Sequence, residues 1–147
     1  MTDWINLPDL VEYSKSLKIM EDKLEQIILN QTSETIYLLE HNDVYTAGTS
    51  YKKEELLESS NIPVIYTGRG GKYTYHGPGQ AVIYPLIDLR KSNRTKDVKL
   101  YIKNLELAVI NTLREFGIDT YTIDGKVGIW TNHQNIPAKL GAIGVRL

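Results

Sequence analysis

The sequence predicts an α+β domain with a mixed sheet packed against helices. Three observations carry that prediction. Two segments place apolar residues at helical spacing, and several short apolar runs lie between punctuating glycine, proline and asparagine residues. The short runs come in groups and do not alternate strictly with helices, so mixed or antiparallel pairing is expected in place of a doubly wound parallel sheet. With 147 residues the chain fits one domain spanning 1–147, large enough to bury a core without staples.

After Pro8 and Asp9, the apolar positions Leu10, Val11, Leu17, Met20, Leu24, Ile27 and Ile28 are separated largely by charged residues. That pattern predicts an amphipathic helix ending near Asn30. TIYLLEH (35–41) is a short buried strand, and HNDVYTAGTS reads as a polar, glycine-containing loop leading into the charged KKEELLESS. IPVIYTG (62–68) is a second strand and AVIYPLIDL (81–89) a third, in which Pro85 predicts an edge or a bulge. KDVKLYIKNLELAVINTLREFG keeps helical spacing through Val98, Tyr101, Ile102, Leu105, Ala108, Val109 and Leu113, and stops at Gly117 as a glycine-capped helix does. Strand-like pieces follow at DTYTID, VGIWTN and LGAIGVRL, with a turn at Asp124-Gly125 and a polar loop at TNHQN.

Composition excludes several functions. Lys+Arg 17 against Asp+Glu 18 leaves a formal net charge of -1, so no global field draws the molecule to nucleic acid or to an anionic membrane. No apolar run reaches membrane-spanning length, and MTDWINLPDL lacks the basic start and apolar stretch of a signal peptide. The cytoplasm is therefore the expected compartment. Cysteine is absent, which removes disulfides, thiolate metal sites and any cysteine nucleophile supplied by these residues. His41, His76 and His133 have no close His/Asp/Glu spacing, so no metal site is expected and their side chains are read as solvated or hydrogen-bonded.

RGGKYTYHGPGQ, residues 69–80, is the segment that carries chemistry. Gly70, Gly71, Gly77 and Gly79 remove side chains where the backbone must bend unusually or let a ligand approach. Arg69 can donate to a carboxylate, a phosphate or an amide carbonyl, and His76 can donate, accept or position. The plain alternative is a glycine-rich hairpin turn with a structural histidine. Neither the Walker A pattern nor the G-x-G-x-x-G spacing of a dinucleotide site is present.

RGGKYTYHGPGQ followed by YPLIDL, the upstream LLEHNDVYTAGTS and the downstream GKVGIWTNHQNIPAKLGAIGVRL, in that order, resemble the lipoyl(octanoyl) transferase family. The likeness runs from about the first strand to the last residue. It implies the fold of biotin and lipoate protein ligases, with an acyl chain in a tunnel beside the sheet. It also implies a reaction without a cofactor. Octanoyl moves from octanoyl-acyl carrier protein, through an enzyme thioester, to a lysine on lipoyl domains of 2-oxoacid dehydrogenases or on the glycine cleavage H protein.

Carried over by residue, the resemblance makes Arg69, Gly70, Gly71, Lys72, Tyr73, Thr74, Tyr75 and His76 one substrate-binding segment, and Ala142, Ile143 and Gly144 a second. Lys139 falls on the lysine that lowers the pKa of the nucleophilic cysteine. The physical basis is that a thiolate, not a thiol, attacks a thioester, and a nearby ammonium favours the charged form. Taken alone, a lysine between Ala138 and Leu140 is an ordinary solvated or snorkelling strand residue. Tyr75 and Gln80 are further candidates to line the pocket.

The chain departs from the family in holding no cysteine. It is expected to be an N-terminal portion of an octanoyltransferase, ending at Val145-Arg146-Leu147 in the middle of a strand and inactive by itself. Two other readings stay open on the sequence. A lipoate or biotin protein ligase forms an acyl-adenylate from ATP without a cysteine, although His76 to Gln80 follow the transferase pattern. A non-catalytic module that holds acyl groups or carrier proteins is the other.

Overall fold

A parallel pair of strands joined by a helix opens the chain. In the computed structural model, which describes residues 2–57, 61–91, 94 and 96–146, β1 (Thr2–Val11), α1 (Tyr13–Ile28) and β2 (Glu34–His41) form this unit. Parallel strands need a crossover, and α1 supplies it. β6 (Val82–Leu86) pairs antiparallel with the other side of β2, so the order is β1-β2-β6. Pro85 thus lies on a strand at the sheet's border, as its missing N–H requires.

Thr35, Tyr37, Leu39 and His41 alternate along β2 and are all buried. Tyr37 and Leu39 join Val11, Ile27, Val82 and Leu86 in the core, with Ile19 and Met20 of α1 packed against it. Burying each such side chain is worth about 1.5–3 kcal/mol. The helix begins later than its apolar spacing predicts. Leu10 and Val11 pair with Glu40 and His41 in the sheet, after a register shift that accommodates the Leu7-Pro8-Asp9 segment. Ile5 and Leu7 already alternate as strand residues, and the bulge hides their continuity with Val11. Asn30, at φ 56, closes α1: its N–H donates to Ile27 O and that of Gln31 to Gln26 O, a Schellman arrangement.

A second sheet has the order β4-β3-β5, with β3 at Val44–Ala47, β4 at Val64–Tyr66 and β5 at Tyr73–His76. β3 lies in HNDVYTAGTS, which the sequence presents as loop. Four residues are too few for periodicity to separate from polar surroundings, and their strand geometry comes from pairing on both sides, parallel to β4 and antiparallel to β5. Glu58, Ser59 and Ser60 of the charged segment lie outside the described residues.

Residues Met1–Leu89 and Arg90–Leu147 form two compact units. The second contains α2 (Val98–Glu115) and an antiparallel sheet of β7 (Tyr121–Ile123), β8 (Lys126–His133) and β9 (Ile136–Gly141). Asp97 caps α2 by accepting from the N–H groups of Lys99 and Leu100 at 2.9 and 3.2 Å. The buried Glu106 carboxylate accepts from Gly128 N–H at 2.8 Å and ties α2 to β8. TNHQN is not simply a loop: β8 continues to His133, and Gln134 and Asn135, at φ 50 and 62, make the tight turn into β9. The last strand also lies earlier than LGAIGVRL suggests. Residues 142–146 have no strand pairing; the β8–β9 ladder ends at the Ile129–Gly141 pair, next to Gly128 with its φ of 127. Leu147 lies outside the described residues. Among the described residues, no helix is long and apolar enough to cross a membrane.

Gly117, at φ 73, ends α2 by donating to Arg114 O while Ile118 donates to Leu113 O. Gly117→Ala is expected to cost about 1 kcal/mol, because a Cβ disfavours the left-handed conformation. Urea unfolding checks it, and an unchanged midpoint would count against this cap.

Candidate active site

The glycine-rich segment is held by the residues that follow β3. Gly48 N–H donates to Lys72 O at 3.1 Å, Thr49 N–H to Arg69 O at 2.9 Å and Ser50 N–H to Gly71 O at 3.0 Å. Two backbones meet here with no side chain between them. A Cβ on Gly48 would sit 2.8 Å from the Gly71 carbonyl carbon, and Gly71 itself adopts φ 95. Both glycines are therefore required, one for proximity and one for conformation.

This clamp turns Arg69 inward. Its Nη1 donates to Gly70 O at 2.9 Å, and its Nη2 to Thr46 O at 2.8 Å, Thr46 Oγ1 at 2.6 Å and Lys72 O at 3.0 Å. Burial depresses its pKa below the ordinary value, while Tyr13 and Tyr84 act in the opposite direction. The amide carbonyls that Arg69 meets belong to its own chain. It is a staple between β3 and the glycine-rich loop.

Pairing of Val44 with His76 and Thr46 with Thr74 puts these side chains on one face of the second sheet. His76 Nδ1 lies 2.9 Å from Gln80 Oε1, and its Nε2 lies 3.3 Å from Thr46 Oγ1. Tyr13 of α1 stacks on the His76 ring at 6.0 Å, and the His41 ring meets it edge-on at 5.7 Å. His41 is fully buried; its Nδ1 donates to Val11 O at 2.7 Å and its Nε2 accepts from Tyr84 Oη at 2.8 Å. Desolvation lowers the pKa of both imidazoles, and desolvation raises that of Tyr84. The result is a neutral pair of imidazoles beside one guanidinium.

Tyr73 and Tyr75 project from the opposite face, with Tyr45. Tyr75 donates to Asp43, and Lys72 forms an ion pair with Glu55. Tyr73 and Tyr45, together with Glu55, Leu56 and Leu57, line a cleft of about 290 Å³. The four candidates on β5, Tyr73 to His76, thus divide between two faces of one sheet, and Arg69 to Lys72 form the loop before it.

In the second unit, Lys139 extends from β9 across Gly128. Its Nζ donates to Val127 O at 2.9 Å and lies 5.0 Å from the centre of the Trp130 ring. A Cβ on Gly128 would stand 3.1 Å from Lys139 Cε, so the bare backbone gives the lysine stem its course. Ala142, Ile143 and Gly144 follow the end of β9, with Ile143 half-buried and its neighbours exposed. Sequence reasoning missed Tyr13, Thr46, Gly48 and Tyr84 as members of the site. Thr46 and Gly48 fall in the upstream TAGTS motif and Tyr84 opens YPLIDL, whereas nothing in the sequence marked Tyr13.

The chain belongs to the lipoyl protein ligase A/B catalytic domain family, whose pattern it matches over residues 12–147. Within that family it is 55% identical over 148 aligned positions to the octanoyltransferases of Rickettsia bellii and Rickettsia felis, covering 100% of this chain and 71% of each relative. Among solved structures, the archaeal lipoylation system of Thermoplasma acidophilum, a bipartite lipoate protein ligase and its E2 lipoyl domain, matches with a TM-score of 0.54 at 15% identity. That match covers 88% of this chain and 49% of the other. The chain thus spans about half of that solved structure, and the likeness bears out the expected fold.

Gly48→Ala is expected to destabilise the chain by about 1–3 kcal/mol, because the new methyl meets backbone that cannot rotate away. Thermal melts compare it with Gly79→Ala, where a Cβ meets nothing within 4 Å and only the positive φ of 82 opposes the substitution. A smaller loss at Gly48 would contradict the clamp. The histidine shifts set a pH dependence. Both folded-state pKa values lie below the ordinary 6.5, so the unfolded chain takes up protons first as pH falls. Stability is expected to be full above about pH 6.5 and to decline below it. Urea midpoints measured from pH 7.5 to 5.5 test this, and a flat profile would show the imidazoles to be solvated.

Proposed function

We propose that this chain is the acyl-handling part of an octanoyltransferase, taking octanoyl from octanoyl-acyl carrier protein to a lysine amine on lipoyl domains of 2-oxoacid dehydrogenases or on the glycine cleavage H protein. The observation that carries this reading is the 55% identity to octanoyltransferases along the whole chain. Arg69 to His76 and Ala142 to Gly144 bind the acyl donor, and the cytoplasm is where its carrier and acceptor proteins would be met. The chemistry takes two steps. A cysteine thiolate attacks the thioester carbonyl, forming a new C–S bond as the carrier's thiolate leaves. The acceptor amine then attacks that enzyme thioester, loses a proton and forms the amide, and the cysteine thiolate is released.

Lys139 serves the first step. Its ammonium favours the thiolate over the thiol, and the hold of Val127 O and the Trp130 face keeps the charge ordered. The thiolate itself must come from outside these 147 residues, which include no cysteine. The ATP-dependent ligase reading is less favoured, since the ligase likeness lies at 15% identity and supports the fold alone.

The 147-residue chain is expected to give no octanoyl transfer above uncatalysed aminolysis, measured by mass spectrometry of an apo lipoyl domain. Robust turnover free of host enzyme would mean that another nucleophile or direct transfer operates. In a longer version carrying a cysteine nucleophile, transfer is expected to appear. Lys139→Ala should then reduce it most near neutral pH, where an unassisted thiol is mostly protonated. Labelled pyrophosphate exchange with ATP and lipoate should be absent, and its presence would turn the assignment to a ligase.

A further inference from the structure

Thr46 stands where the two polar halves of the first unit meet. It is fully buried on the central strand β3, so no bulk water can substitute for its hydroxyl. A guanidinium can only donate, so Thr46 Oγ1 accepts from Arg69 Nη2 at 2.6 Å. Its single proton then has two acceptors at nearly equal distance, His76 Nε2 at 3.3 Å and Thr74 O at 3.4 Å.

The protonation of His76 decides between them. Gln80 donates through its amide nitrogen to Tyr75 O at 3.2 Å, which leaves Oε1 facing His76 Nδ1 at 2.9 Å. An amide oxygen only accepts, so neutral His76 carries its proton on Nδ1 and presents a lone pair on Nε2 to Thr46. A second proton on His76 reverses that contact. Nε2–H then donates to Thr46 Oγ1, and the hydroxyl proton must turn to Thr74 O. The groups facing the His76 ring are Tyr13 from α1, His41 from β2, Thr46 from β3, Gln80 beyond β5 and, through Thr46, Arg69.

We infer that Thr46 is a positioning residue that joins Arg69 to His76, its hydroxyl turning to serve either protonation state of the imidazole while the oxygen keeps the guanidinium. It holds the glycine-rich loop through Arg69 and sets the His76 ring in one plane. That this arrangement serves acyl transfer rests on the function proposed above; the link between Thr46 and His76 does not.

The experiment is a ring-nitrogen NMR titration of the histidines in the wild-type chain, Thr46→Val and Thr46→Ser, with S-octanoyl-pantetheine binding measured on the same samples. Valine keeps the shape but offers no acceptor to protonated His76, so the His76 pKa should fall further by about one unit, and serine should restore it. Binding of the thioester should weaken about 5-fold in Thr46→Val, roughly one hydrogen bond's worth, and return in Thr46→Ser. A His76 titration indifferent to valine, or not rescued by serine, overturns the inference. A shifted His76 beside unaltered thioester binding overturns the positioning role toward the substrate. Should the wild type not bind the thioester at all, the acyl-transfer reading fails and the titration still decides Thr46. If Thr46→Val does not fold, Gln80→Leu replaces it: without the Oε1 acceptor, neutral His76 should move its proton to Nε2 and donate to Thr46, and an unchanged Nδ1–H tautomer overturns the scheme.

Discussion

The polar interior of the first unit depends on a backbone meeting, Gly48 against Gly71. Without a side chain at 48, three successive N–H groups reach the carbonyls of Arg69, Gly71 and Lys72. That seam fixes the loop that starts at Arg69, and the fixed loop aims the guanidinium back at β3. Were the seam wider, Arg69 would point to water and lose its contacts with Thr46. A positive charge is thereby installed inside the sheet with carbonyl and hydroxyl oxygens around it. A half-buried cation tolerates this because its donors are matched by acceptors.

The first sheet contributes the other side of the same interior. α1 carries Tyr13, β2 carries His41 and β6 carries Tyr84, and these rings converge because the parallel crossover places the start of the helix beside the end of β2. His41 is paired at both nitrogens, so it carries structure and not proton transfer. Leaving either nitrogen unpaired would cost about 1–3 kcal/mol. The network behaves as a rigid support under the glycine-rich loop.

In the second unit, a comparable economy of side chains shapes the course of Lys139. Gly128 clears space, Val127 offers a carbonyl and Trp130 offers a ring face. A flexible lysine stem ordinarily samples many rotamers, and ordering it in advance removes part of the entropy that a catalytic role would otherwise cost. The β8–β9 hairpin is the device that places all three partners.

The amino-acid sequence by itself determined the α+β class, both helix C-termini at Asn30 and Gly117, the strands β2, β4 and β6, and the segment that would carry chemistry. Each is a local property: periodic apolar spacing, a residue tolerant of positive φ, or a motif matched in order. Tertiary structure decided the rest. Leu10 and Val11 continue a helical pattern but pair with β2, because an extended partner offered backbone pairing to both and core burial to Val11. Val44 to Ala47 form a strand only because β4 and β5 flank them. RGGKYTYH is one block in the sequence and yet presents Thr74 and His76 to one face and Tyr73 and Tyr75 to the other, since strand side chains alternate. Thr46, His41 and Tyr84 fall in matched motifs and Tyr13 in none, and no local spacing marks the four as one site. They become one only where two sheets and a helix bring them within hydrogen-bond and ring-contact distance, and contacts between residues 30 or more positions apart leave no trace in local spacing.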